Sequence, residues 1–213
     1  MDETGAQPSN ERPNMTASNF TSRPATSAEL RAATELCLAA FADEAVITWV
    51  FPDPESRRSQ LQAMFNASLE SAVTTGALFL AIADDGELAA ASIWAARDAR
   101  EESSRPGSSP ETDDEHSRRL AAVETATEAR RPEPAHLHLS SMATLPSYRG
   151  RGAGSAMITA GLSEARKHGL PVYLEASNAD NRRLYERFGF REYGGPIQLP
   201  DNGPSLQPMW LDT

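Results

Sequence analysis

Tyr148-Arg149-Gly150-Arg151-Gly152-Ala153-Gly154 stands between a strand-like run, His136 to Ala143, and a helix-like one, Ser155 to Lys167. Its glycines let the main chain approach a ligand without Cβ obstruction, and the free N–H groups and dipole of the first helical turn favour an anion there. Arg149 and Arg151 bring positive charge to the same spot. The spacing differs from the common nucleotide loops. No glycine-lysine-serine/threonine step follows, and a G-x-G-x-x-G pattern counted from Gly152 puts Met157 in its last position. A pyrophosphate other than that of ATP or NAD is the expected ligand.

Working outward, Gly169-Leu170-Pro171 ends the helix, Val172 to Ala176 reads as a strand, Asn178 to Phe188 as a helix stopped by Gly189, and Phe190 to Gly194 as a strand. The end of the chain, Pro204 to Asp212, carries Met209, Trp210 and Leu211 and adds a last strand. Towards the start, Phe20 to Arg23 is a short strand. Thr26-Ser27-Ala28-Glu29 has the form of a capping box ahead of a helix with Leu30, Thr34, Cys37, Leu38 and Phe41 at helical spacing. Glu55 to Val73 is a second helix with Leu61, Met64, Phe65 and Leu69 in one stripe. Leu78 to Ala83 and Leu88 to Ala95 make a hairpin about the Asp84-Asp85-Gly86-Glu87 turn. A hairpin followed by alternating strands and helices predicts a mixed α/β sheet. One domain is expected over 19–213, after a disordered tail at 1–18 that lacks apolar anchors. A polar, flexible insertion is expected at about 97–134. Within it, residues 117–130 are either disordered or a loosely docked, exposed helix with Leu120 and Val123 as its few apolar contacts, the functional alternative being a substrate lid.

The chain has 213 residues and a formal charge of −10, which argues against DNA or an anionic membrane as partner. Much of that charge lies in the insertion, so it says little about the substrate. Cys37 has no second cysteine to pair with, no apolar run is long enough for a membrane span, and the N-terminus lacks signal-peptide blocks. A soluble, cytoplasmic protein, monomeric or homodimeric, is the expectation.

Two blocks carry a family resemblance. Arg149-x-x-Gly152-x-Gly154, after a strand ending Met142-Ala143-Thr144-Leu145-Pro146, resembles the acetyl-CoA signature of the GCN5-related N-acetyltransferases. Asn178-Ala179-Asp180-Asn181-Arg182-Arg183-Leu184-Tyr185-Glu186-Arg187-Phe188-Gly189-Phe190 resembles that family's second block. The resemblance is firm over 137–193. Over 20–96 it is softer, where Phe41, Trp49, Phe51-Pro52-Asp53 and Trp94 resemble the puromycin acetyltransferase-like branch. It implies a single domain with a central, splayed mixed sheet flanked by helices. It also implies transfer of acetyl from acetyl-CoA to a primary amine, of a small molecule on the puromycin-like likeness, by direct attack in a ternary complex. By the same resemblance, the backbone of Met142, Ala143 and Thr144 serves the pantetheine arm and thioester, although the family usually has Val or Ile where this chain has Thr144. Arg149, Gly150, Arg151, Gly152, Ala153 and Gly154 bind the pyrophosphate, Asn181 holds the coenzyme arm, and Tyr185 protonates the departing thiolate. A non-catalytic acyl-CoA-binding module on the same fold is the alternative.

Asn181 and Tyr185, four apart, share one helix face. The base that receives the amine's proton is Glu175 or its rival His138. Glu175 could equally be a carboxylate paired with an arginine. His136 and His138 lie on one strand face, but no third ligand stands at a metal-site spacing, so no metal is expected. Cys37 reads as a small core hydrophobe. Trp49 and Asp53 are candidates for the acceptor pocket, or ordinary core and loop residues.

Overall fold

The computed structural model describes residues 19–100 and 114–213. The tail expected to be disordered and most of the charged run of the insertion lie outside the described residues. Within the described residues eight strands form one open, mixed sheet flanked by helices. The first strand, β1 (Phe20–Pro24), is followed by helices α1 (Leu30–Phe41), α2 (Ala45–Val50) and α3 (Pro54–Thr74). The hairpin is β2 (Leu78–Ala83) and β3 (Leu88–Arg97), and helix α4 (Glu115–Glu128) comes from the insertion. Then follow β4 (His136–Thr144), α5 (Ala153–His168), β5 (Val172–Ala176), α6 (Ala179–Arg187), the short β6 (Arg191–Glu192) and β7 (Ile197–Gln198), and β8 (Ser205–Leu211).

Local chemistry sets the element ends. The Glu29 carboxylate accepts from the Thr26 N–H and hydroxyl at 2.9 and 2.8 Å and is gripped by Arg23 at 2.7 Å, so the capping box forms at the entry to α1. Asp53 accepts from the N–H groups of Glu55 and Ser56 and caps α3, with Pro54 in its first turn. Gly169, at φ 61°, closes α5 in the left-handed conformation that costs glycine nothing. Helix α2 and strand β7 are elements that the sequence pattern did not reveal. Ala45-Val46-Ile47-Thr48-Trp49-Val50 is rich in β-branched residues, yet the Glu44 side chain caps it through the Ile47 N–H at 3.0 Å.

The sheet runs β1-β2-β3-β4-β5-β8-β6, with β7 also on β8, and only the β4–β5 pair is parallel. Leu78 and Leu80 of β2 pack towards α1 and α3, while Phe79, Ala81 and Ala83 pack towards α5. Burial on both faces accounts for the unbroken apolar run of that strand. On the α5 face the Trp94 indole donates to the Ser92 hydroxyl at 2.9 Å, and its ring lies flat over Gly161. A Cβ at Gly161 would stand 2.0 Å from the Trp94 ring.

Gly161→Ala is therefore expected to destabilise the protein by about 1–3 kcal/mol, as overpacked cores do, in spite of alanine's better helix propensity. Thermal denaturation checks this at roughly 2–4 °C per kcal/mol for a chain of this size, and an unchanged Tm would show that the Trp94 ring gives way freely.

Candidate active site

Strand β4 pairs with β5 only through Leu137, His138 and Leu139, against Val172, Tyr173 and Leu174. Beyond that point the two strands part. Ser140 is an extra residue in β4, because Ile93 of β3 faces Ser141 while Trp94 faces Leu139. Before this bulge Leu137 and Leu139 pack on the α5 side; after it Met142 packs there and Ala143 turns to the α1–α3 side. The bulge thus puts His138 and Ser141 on one face.

The Leu145 N–H donates to the Ala89 carbonyl at 3.0 Å. With the register of this ladder, alternation directs the backbone groups of Ala143 to Ala91 and those of Met142 and Thr144 to the open side. Two of the three expected backbone positions therefore face the splay, and Ala143 is turned to its neighbour strand. A cleft of about 1260 Å³ opens here, lined by β4, the loop after it, the first turn of α5, the end of β5, α6, α2 and α4.

At one end of the cleft is the glycine loop. Tyr148 is buried and donates its hydroxyl to Glu87 at 2.9 Å and Asp85 at 3.1 Å, which ties the loop to the β2–β3 turn. Gly150 and Gly152 have φ of 71° and 103°, conformations in which a side chain would be strained, and Gly152 is the N-cap of α5. Arg149, Gly150, Gly152, Gly154 and Ser155 line the cleft, and Arg149 reaches across it to the Ala40 carbonyl at 2.9 Å. The other two candidates are placed differently. Arg151 lies over the Tyr148 ring at 5.1 Å, and Ala153 is fully buried, so only its backbone belongs to the helix end. Helix-terminal N–H groups, positive φ and an arginine suit a phosphate group.

At the other end, His138 Nε2 and Glu175 Oε2 are 2.9 Å apart, with side chains 15% and 11% exposed. The two rival bases thus form one pair, and Glu175 binds this histidine in place of an arginine. Beside them, Tyr173 is buried with no hydrogen-bond partner for its hydroxyl among the described residues; burial first, then the Glu175 charge, pushes its pKa up. His136, fully buried, bonds the Pro134 carbonyl through Nδ1 at 2.7 Å, has no partner for Nε2 among the described residues, and is held neutral chiefly by burial. Tyr185 is 5% exposed, lines the cleft, and has no hydrogen-bond partner among the described residues; burial raises its pKa well above the usual phenol range. Asn181 lines the same wall one turn earlier and donates to the Ser177 hydroxyl at 3.3 Å.

Other sequence candidates fall outside the site. Asp53 caps α3, Trp49 is covered by Arg119 at 5.2 Å and does not line the cleft, and Trp94 belongs to the core. Cys37 is buried and its thiol is pushed up to about 12 by that burial, so it is no nucleophile at neutral pH. Among the described residues no group of three or more His, Cys, Asp and Glu is disposed to hold a metal, and no helix is long and apolar enough to cross a membrane. The sequence reading missed Ser155, Ser177 and the wall built by α2. Ser155 could have been found as the third residue of a helix that begins at a phosphate loop; the α2 residues carry no such signal.

Several solved structures share this fold. A polyamine N-acetyltransferase of Drosophila melanogaster, an enzyme that catalyses the formation of N-acetylagmatine, superposes with a TM-score of 0.69 at 22% identity, over 92% of this chain and 100% of that one. An acetyltransferase of Corynebacterium glutamicum, described as histone acetyltransferase HPA2 and related, gives 0.67 at 24%, over 90% and 95%. Arylalkylamine N-acetyltransferase 2 of Aedes aegypti gives 0.64 at 14%, over 92% and 100%. The sequence profile of the acetyltransferase (GNAT) family matches residues 34–190, which span the splayed strands, the glycine loop and Tyr185 alike, and the chain belongs to that family of acetyl-CoA-dependent acetyltransferases.

Proposed function

We propose that this protein transfers the acetyl group of acetyl-CoA to the primary amine of a small molecule by direct attack. The observation that carries the reading is the open edge of β4, where the unpaired backbone groups of Met142 and Thr144 lie in one cleft between the α5 N-terminus and the His138–Glu175 pair. The solved relatives named for polyamines and arylalkylamines support a small-amine acceptor. The likeness to the puromycin-like branch adds little, since of its residues Phe41 and Phe51 line the cleft while Trp49, Asp53 and Trp94 do not.

Acetyl-CoA brings a thioester whose carbonyl carbon is open to an amine. Arg149 and the first turn of α5 hold its phosphates, and Asn181 steadies the arm. The backbone N–H groups on the open edge of β4 stabilise the charge that grows on the carbonyl oxygen. Glu175, with His138 hydrogen-bonded to it, attracts the ammonium and accepts its proton. The carbon–nitrogen bond forms, the carbon–sulfur bond breaks, Tyr185 donates its proton to the departing thiolate, and the second proton lost by nitrogen as the amide forms restores the Tyr185 phenol. Holding both reactants in one cleft contributes much of the rate, with no enzyme nucleophile involved.

Acetyl-CoA at about 100 times its Kd is expected to stabilise the fold by ~2.7 kcal/mol, a rise in Tm of roughly 5–10 °C. Arg149→Ala combined with Ser155→Asp should keep the fold, because a carboxylate suits a helix N-terminus, yet lose most of that rise through repulsion of the phosphates. The absence of any rise in the parent protein would overturn the reading, and binding without turnover of any amine would leave a coenzyme-binding module.

Tyr185→Phe is expected to lower kcat about 10²–10⁴-fold, with Tm and the acetyl-CoA shift unchanged, because the hydroxyl it removes has no partner. The sign of the Tyr185 shift is upward, so the phenol stays protonated as pH rises, and kcat should stay level between about pH 8 and 10. A fall in kcat over that range would assign the acid to another group. Glu175→Gln and His138→Gln should each lower kcat/KM for the amine by about 10²-fold without changing acetyl-CoA binding; full activity in both would remove the pair from the mechanism.

A further inference from the structure

The acceptor half of the cleft is built differently from the coenzyme half. His116, Leu120, Val123 and Thr127 follow one another at intervals of three or four and form a single face of α4. Leu120, Val123 and Thr127 line the cleft, each half-buried, and α4 packs on α2. Ile47 of α2, Met64 of α3 and Ile93 of β3 are half-buried on other walls of the same cleft. Helix α4 is tied to its neighbours: His116 lies 5.8 Å from the Phe51 ring, Arg119 covers Trp49 and donates to its carbonyl, and Arg100 donates to the Glu128 carbonyl at 3.4 Å.

The carboxylates of the cleft are Asp43, Glu44, Glu175 and Asp180. Glu44 caps α2, Asp180 is paired with Arg183, and Asp43 is exposed at the end of α1. Among the described carboxylates of the cleft, Glu175 alone is nearly buried and lies beside the splayed strands. One ammonium can be matched there, whereas a second cation held against the Leu120–Val123 stripe would lose hydration with no carboxylate on that face of α4 to replace it.

Resting on the acetyl-transfer reading, we infer that the acceptor is a primary monoamine with a single, largely apolar body, which Leu120 and Val123 of α4 hold against α2 and β3 while its ammonium meets Glu175. Leu120 and Val123 are then specificity-determining residues.

The test is kcat/KM with acetyl-CoA for 2-phenylethylamine, hexylamine, spermidine, agmatine and a short polar peptide, followed by thiol release and product mass. The parent enzyme is expected to favour the two apolar amines over spermidine by about tenfold or more. Leu120→Glu should reverse that ratio, and the near-isosteric Val123→Thr, which keeps the volume should the first variant fail to fold, should reduce it severalfold. The acetyl-CoA shift in Tm should persist in both. A parent that prefers spermidine, agmatine or the peptide, or variants that slow every amine alike, would overturn the inference and leave acetyl transfer standing. Acetyl-CoA binding without turnover of any amine would overturn the transferase reading itself and this inference with it.

Discussion

A strand whose hydrogen-bonding edge is left open inside a protein is an unusual object, because buried backbone N–H and C=O groups are costly unless they are paired. In this fold β4 loses its partner after Leu139, and everything of functional interest is arranged around the groups left over. The Ser140 bulge sets which side chains follow the opening. If Ser140 were instead paired in a regular strand, Leu137, Leu139, Ser141 and Ala143 would share a face, and Met142 would leave the α5 core. With the bulge, the apolar contacts with α5 continue on one side while His138 and Ser141 remain on the other. The strand can thus be half core and half binding edge at no loss of packing.

The electrostatics follow the same division. One end of the cleft has the N–H groups of the α5 first turn, fixed by the left-handed Gly152, together with Arg149. The other has a carboxylate paired with a histidine, flanked by buried, uncharged Tyr173 and His136. On the proposed function, an anionic ligand and a cationic one are directed to opposite ends, and the reacting centre falls between them. Tyr185 lines the cleft, kept as the neutral phenol by the burial of its ring.

How much of this can be read from the sequence depends on whether the cause is local. Glycine at 150, 152 and 169, the capping box at 26–29, the turn at 84–87 and the helical stripe through Leu61, Phe65 and Leu69 are each dictated by a few neighbouring residues, and each appears where its pattern implies. Asn181 and Tyr185 share a face because four residues on a helix make it so. The pairing of His138 with Glu175 is not local: it joins two strands 37 positions apart, and two separate candidates for one role were all the chain itself could offer. The placement of Arg151 is likewise not legible, since nothing in the chain beside the glycines indicates that its guanidinium lies over the Tyr148 ring. Asp53 looked like a pocket residue and is a helix cap. Helix α2 is set by the Glu44 cap and by its packing against α4, against the β-branched composition of its own residues.

The two halves of the cleft differ in what they are made of, and this bears on how one fold can serve many acceptors. The half proposed for the coenzyme is largely main chain: the open edge of β4, the helix terminus and the glycine turns. Backbone groups are the same whatever side chain is attached, which is why Thr144 can stand where the family usually has Val or Ile without altering the contacts the site offers. The acceptor half is made of side chains on α2 and α4, and α4 belongs to the insertion between β3 and β4, outside the strand framework. Changes in those helices can reshape the pocket without disturbing the sheet that positions the thioester, since their anchors, Arg119 on Trp49 and His116 by Phe51, lie away from the open edge. On the proposed function, the chemistry is tied to the backbone and the selectivity to a segment outside the strand framework.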